Sequence, residues 1–82
     1  MAKSKTSKKE EAVLKKLGER ITRLRKKIGK SQNDLSYEIG WDKPNLRKIE
    51  KGKTNPTVKT LIKISEALKI SLSELFKIEE EK

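Results

Sequence analysis

Three glycines decide most of what this chain can become. Gly29, Gly40 and Gly52 each close a run with helical periodicity, so the chain is cut into short segments rather than one long helix. Ahead of Gly29, Leu14, Leu17, Ile21, Leu24 and Ile28 recur at alternating spacings of three and four, one apolar stripe of an α-helix. Gly18 interrupts that stripe and weakens the helix by up to about 1 kcal/mol relative to alanine. The expectation is a compact helix beginning near Lys15 behind a frayed turn. Between Gly29 and Gly40, Ser31 and Asp34 form a capping box, with Leu35 and Ile39 inward. Between Gly40 and Gly52, Asp42 is an N-cap, Pro44 suits the first turn, and Leu46 and Ile49 face the core.

The remaining chain reads in the same way. Asn55-Pro56 is a turn, and Thr57 caps a fourth helix with Val58, Leu61, Ile64 and Leu68 on one face. Ser71 and Glu74 form a second capping box, opening a fifth helix that carries Leu72, Leu75 and Phe76. Strand-like alternation is absent, so the expected fold is all-α with five helices. Residues 1–9 hold four lysines and, beyond the initiator Met, no large apolar side chain, which predicts a flexible basic arm. Residues 10–77 then form one domain and residues 78–82 an acidic tail.

Charge narrows the function. The chain carries 22 Lys and Arg against 12 Asp and Glu, net +10 over 82 residues. Residues 1–30 hold 12 basic and 3 acidic side chains, so the excess is concentrated there. Such a field attracts polyanions, either nucleic acid or an anionic membrane surface, unless it is a solvated face. Neither cysteine nor histidine occurs, which removes a disulfide framework, a thiolate zinc site and the usual general base. No apolar run is long enough to span a membrane, and residues 1–9 lack the apolar region of a secretory signal. Glu10-Glu11 and Glu79-Glu80-Glu81 are solvated carboxylate runs rather than paired acids, and Gly29-Lys30-Ser31 lacks the upstream glycine of a phosphate loop. A cytoplasmic binding protein without cofactor, metal or catalytic activity is expected.

Gly40-Trp41-Asp42 joins two short helices at the spacing of a helix-turn-helix. With Leu35, Ile39, Leu46 and Ile49 packed inward, the outer face of the third helix presents Lys43, Pro44, Arg47, Lys48 and Lys51. A helix of that kind fits the major groove of B-DNA, roughly 12 Å wide. Small capped helical bundles share the pattern, so spacing alone leaves both readings open.

Longer motifs point further. Leu17-Gly18-Glu19-Arg20-Ile21, Leu24-Arg25, Gly29-Lys30-Ser31-Gln32, Leu35 and Ile49-Glu50-Lys51-Gly52-Lys53 stand in one order, followed by Asn55-Pro56-Thr57, Leu61, Ile64 and Ser71 to Phe76. From Leu17 to Phe76 the chain closely resembles the phage-repressor/Cro-type (XRE) helix-turn-helix family. That resemblance implies a five-helix, lambda-repressor-like DNA-binding domain with its helix-turn-helix at helices two and three. Lys43, Pro44, Arg47 and Lys48 then match the base-reading surface, where Arg and Lys donate to guanine O6 and N7. Gln32 matches a phosphate contact at the start of helix two. Lys51, Lys53, Thr54 and Asn55 match backbone contacts at and after the recognition helix, and Arg20 and Arg23 on helix one are further phosphate candidates. Arg25 and Glu50 match a buried ion pair that sets the angle of helix three.

Two positions depart from the family. Pro44 stands where a polar residue is common; it starts a helix or packs on a thymine methyl. Trp41 replaces a smaller apolar residue and is either core or a stacking group. Asp42 has a capping role that competes with base contact.

One recognition helix reads about four or five base pairs, and family relatives dimerise on two half-sites roughly 34 Å apart. Ile70, Leu72, Phe76 and Ile78 are candidates for a homodimer surface; alternatively Leu72 and Phe76 close the monomer core. Nothing in the sequence after Phe76 reads as a sensing domain. The implied function is a sequence-specific regulator of transcription on double-stranded DNA, in a bacterial or phage nucleoid. A protein-interaction module, such as an antitoxin or co-regulator with an unidentified protein partner, is the alternative.

Overall fold

Each helix among the described residues opens on a short polar side chain that accepts the amide three residues later. Ser7, Ser31, Asp42, Thr57 and Ser71 make these bonds at 3.0 to 3.3 Å, supplying donors at helix starts with partners the helix itself cannot give. The computed structural model describes residues 7–78. They form α1 (Lys8–Lys27), α2 (Gln32–Ile39), α3 (Lys43–Glu50), α4 (Val58–Ala67) and α5 (Leu72–Leu75). No strand occurs among the described residues.

Helix α1 rests against α3 and α5, α2 against α3 and α4, and α4 against α5. One core fills the space between them: Leu17 and Ile21 from α1, Leu35 and Ile39 from α2, Leu46 and Ile49 from α3, Leu61, Ile64 and Leu68 from α4 and its end, and Leu75 from α5. Trp41 is half-buried against this core, as are Leu24, Ile70 and Leu72.

Several expectations are corrected. α1 begins at Lys8, not near Lys15, because Ser7 and Glu10 form a complete reciprocal capping box. Residues 7–9 therefore belong to the helix rather than to the arm; residues 1–6 and 79–82 lie outside the described residues. The apolar stripe stops short at three ends. Ile28 follows the last turn of α1 and is 41% exposed, Val58 is the first residue of α4 and 63% exposed, and Phe76 follows α5 and is 44% exposed. Leu75, rather than Phe76, closes the core. Ser71 caps α5, but Glu74 does not reach back to complete a box; its carboxylate turns instead to Arg20 and Lys77.

Gly18 is not a weakness tolerated within α1. A Cβ there would collide with the carbonyl oxygens of Ile49 and Glu50, so the end of α3 lies directly on bare α1 backbone. Gly52 makes the matching approach from the other side. At φ +72 it closes α3, with its amide donating to the Ile49 carbonyl and the Lys53 amide to that of Lys48. A Cβ on Gly52 would lie 2.6 Å from Cα of Lys15.

Candidate nucleic-acid interface

The interface is built on the turn between α2 and α3. Gly40, left-handed at φ +73, stops α2, and the Trp41 amide donates to the Ser36 carbonyl at 2.8 Å. Asp42 then caps α3 at Asn45, and Pro44 stands in the first turn, where it breaks no helical bond. α3 buries Leu46, Ile49 and Glu50. Pro44, Arg47, Lys48 and Lys51 are exposed on the opposite side, with Lys43 half-buried at their edge. Asn45, which the sequence reading did not single out, is exposed beside them. Its position one residue after Pro44 put it at the margin of the outer face.

A buried network sets the angle of this helix. Arg25 of α1 meets Glu50 at the end of α3 through two bonds, Nε to Oε2 at 2.7 Å and Nη2 to Oε1 at 3.1 Å. This two-pronged geometry is the strong form of the pair. The third arm of the guanidinium donates to the Lys30 carbonyl at 2.9 Å, and Gln32 Nε2 donates to Glu50 Oε1 at 2.8 Å. Both charged residues are buried, and no buried side-chain N or O among the described residues lacks a partner. Satisfaction of that kind is what makes a buried ion pair tolerable. Gln32 is thus half-buried and tied to α3 at the start of α2, a use that its local sequence did not reveal.

Arg20 and Arg23 are not on this side. Arg20 lies about 200° around α1 from Gly18, at 100° per residue. It donates to the Glu74 carbonyl at 2.9 Å and pairs with its carboxylate at 3.4 Å. Together with Lys16, Glu19, Lys77 and Ile78, the two arginines line a groove between α1 and α5. Arg20 thus joins α1 to α5. The bond and charge of Lys77, with Arg20 adding to them, hold the Glu74 carboxyl below its ordinary pKa. Bonds from the Ser31 amide and hydroxyl do the same for Asp34.

Lys53 and Asn55 are exposed and Thr54 is half-buried in the loop after α3. They line a second groove with Lys51 and Gly52, facing Glu11, Leu14 and Lys15 of α1. Of the four candidates for a dimer surface, Phe76 is exposed, while Ile70, Leu72 and Ile78 are half-buried. Lys30 is a further structural residue that sequence reasoning missed. Its ammonium binds Glu38 at 2.6 Å and the Ala67 carbonyl at 2.8 Å, linking α2 to the end of α4. Partners so distant in sequence leave no local signal. Among the described residues no group of three His, Cys, Asp or Glu side chains is placed to hold a metal ion, and no helix is long and apolar enough to cross a membrane.

Known proteins share this arrangement. The cryptic phage CTXphi transcriptional repressor RstR of Vibrio cholerae is 42% identical over 60 residues, covering 73% of this chain and 54% of the repressor. The chain spans about half the length of the curated relatives it matches. Among solved structures, the restriction-modification controller protein C.AhdI from Aeromonas hydrophila superimposes with a TM-score of 0.77 at 35% identity, covering 79% of this chain and 98% of the controller. SinR, described as the master regulator for biofilm formation and crystallised in complex with DNA, gives a TM-score of 0.69 at 35% identity, covering 74% of this chain and 98% of that one. The HTH_3 family, described as helix-turn-helix, matches residues 21–75. With α2 and α3 forming the motif inside that match, the chain belongs to the HTH_3 (XRE-type) helix-turn-helix family.

Proposed function

We propose that this chain is a sequence-specific repressor that lays α3 in the major groove of double-stranded DNA and binds a near-palindromic operator as a homodimer. The observation that carries the reading is the exposed Arg47-Lys48-Lys51 face of α3, held at a fixed angle by the buried Arg25–Glu50 pair. Lys43, Arg47 and Lys48 donate to guanine edges, and Pro44 offers an apolar contact to a thymine methyl. Lys51, Lys53, Thr54 and Asn55 grip phosphates, which position the protein without reading sequence. Gln32 keeps one amide hydrogen for a phosphate while the other serves Glu50. Phe76 and Ile78 supply the apolar contact between protomers across a twofold axis.

Selection from random duplex DNA at about 150 mM salt, where charge contacts are partly screened, tests this directly. An enriched palindrome with half-sites spaced near one helical turn supports the reading. Enrichment of a single short half-site would refute the dimer, and purely non-specific recovery would refute the operator-binding repressor.

A further inference from the structure

The basic surface continues beyond α3. Gly52 seats the loop after α3 on α1, so closely that a Cβ on it would stand 2.6 Å from Cα and 2.8 Å from the amide nitrogen of Lys15. The groove at this junction is lined by Glu11, Leu14 and Lys15 on one wall and by Lys51, Gly52, Lys53, Thr54 and Asn55 on the other. Lys15, Lys51 and Lys53 are all exposed there, three cations against the single carboxylate of Glu11. Lys8 stands seven residues before Lys15, two helical turns back on the same face, and it too is exposed. Helix α1 begins ten residues ahead of Gly18, so roughly 15 Å of it extends past the contact with α3.

We propose that the amino-terminal half of α1, through Lys15, carries the phosphate grip of the 51–55 loop onto DNA backbone flanking the half-site. This rests on the reading of α3 as the DNA-binding helix. The loop and Lys15 face each other across one groove, so a strand that meets Lys53 also comes within reach of α1. Glu11 opposes that contact and limits its strength.

The test measures binding of the full chain to fluorescent duplexes carrying the selected site and to random-sequence duplexes, across a series of salt concentrations. Each phosphate neutralised contributes a slope of about −0.9 in log affinity against log salt. Lys15→Gln should reduce the slope by about that amount and weaken selected and random duplexes equally, while Glu11→Gln tightens both. Trimming the duplex to the edge of the half-site should cost the natural chain affinity and cost Lys15→Gln little. Lys48→Gln is the control for the α3 reading, and should lose preference for the selected site while keeping its sensitivity to duplex length. An unchanged slope in Lys15→Gln, alongside lost preference in Lys48→Gln, overturns the flank contact and leaves α3 as the reader. Absence of DNA binding by the natural chain overturns both. Lys15 is exposed, so helical content and urea midpoint should match the natural chain in every variant used.

Discussion

At the residue scale, Glu50 holds three bonds at once, two from Arg25 and one from Gln32. Deleting a partner leaves a buried charge without compensation, so Glu50→Ala should cost about 3–5 kcal/mol in urea unfolding. Arg25→Met combined with Glu50→Leu should be far milder than either single loss, since no orphan charge remains. A single substitution costing under about 1 kcal/mol would show that the pair does not hold the helices together. Asp34 gives a pH counterpart. Its carboxyl is held below the ordinary pKa by the Ser31 amide and hydroxyl, so the folded state favours the ionised form. That contribution is present above the unfolded pKa and is lost as pH falls through the folded one. Asp34→Asn should flatten the acid limb of the stability curve and leave its neutral region nearly parallel to that of the natural chain. An acid limb of unchanged steepness would remove Asp34 from it.

At the element scale, the caps at Ser31, Asp42 and Thr57 were legible because each is written within four residues, whereas the equally local Ser7–Glu10 box is masked by a lysine-rich stretch that reads as an arm. The stripe on α1 was legible from Leu14 through Leu24 for the same reason. Gly18 was misread because helix propensity knows nothing of the α3 carbonyls that press against it. The tie from Arg20 to α5 was not legible, because its partner is 54 residues away. Local pattern gives the elements, and contacts between elements decide what a residue in them is for. Gly18→Ala puts the two in direct conflict. Alanine favours the helix by about 1 kcal/mol, but the forced shift of α3 should cost more, about 1–3 kcal/mol. A variant more stable than the natural chain in urea would show that α3 moves aside freely. Lys69 offers the opposite sign. It ends α4 at φ +64, a conformation that costs a residue with a Cβ roughly 1–2 kcal/mol. Lys69→Gly should therefore stabilise by about 0.5–1 kcal/mol after glycine's own entropy cost, raising Tm by roughly 2–8 °C. Thermal melts followed by circular dichroism would check it, and an unchanged or lower Tm would count against the strain.

At the scale of the whole molecule, the monomer closes its core with Leu75 and leaves Phe76 exposed, so the proposed association is separable from folding. Phe76→Asp should leave the unfolding midpoint of the monomer nearly unchanged, within about 0.5 kcal/mol, and abolish dimers in sedimentation equilibrium. Binding to a two-half-site duplex should lose its cooperativity at the same time. Dimers that persist would place the twofold contact elsewhere on the surface.

The separation of inner and outer faces on α3 has a consequence for how such a protein changes over generations. Leu46, Ile49 and Glu50 hold the helix in place, and Pro44, Arg47 and Lys48 project away from everything that does so. Substitutions at Arg47 and Lys48 fall in the class that alters stability by no more than about 0.5 kcal/mol, while Pro44 also serves the start of the helix. Under the proposed reading, a lineage can therefore exchange one preferred DNA sequence for another, a side chain at a time, without passing through an unfolded intermediate. At Arg47 and Lys48 stability does not restrain the choice, so a target sequence read there is free to drift with its genome.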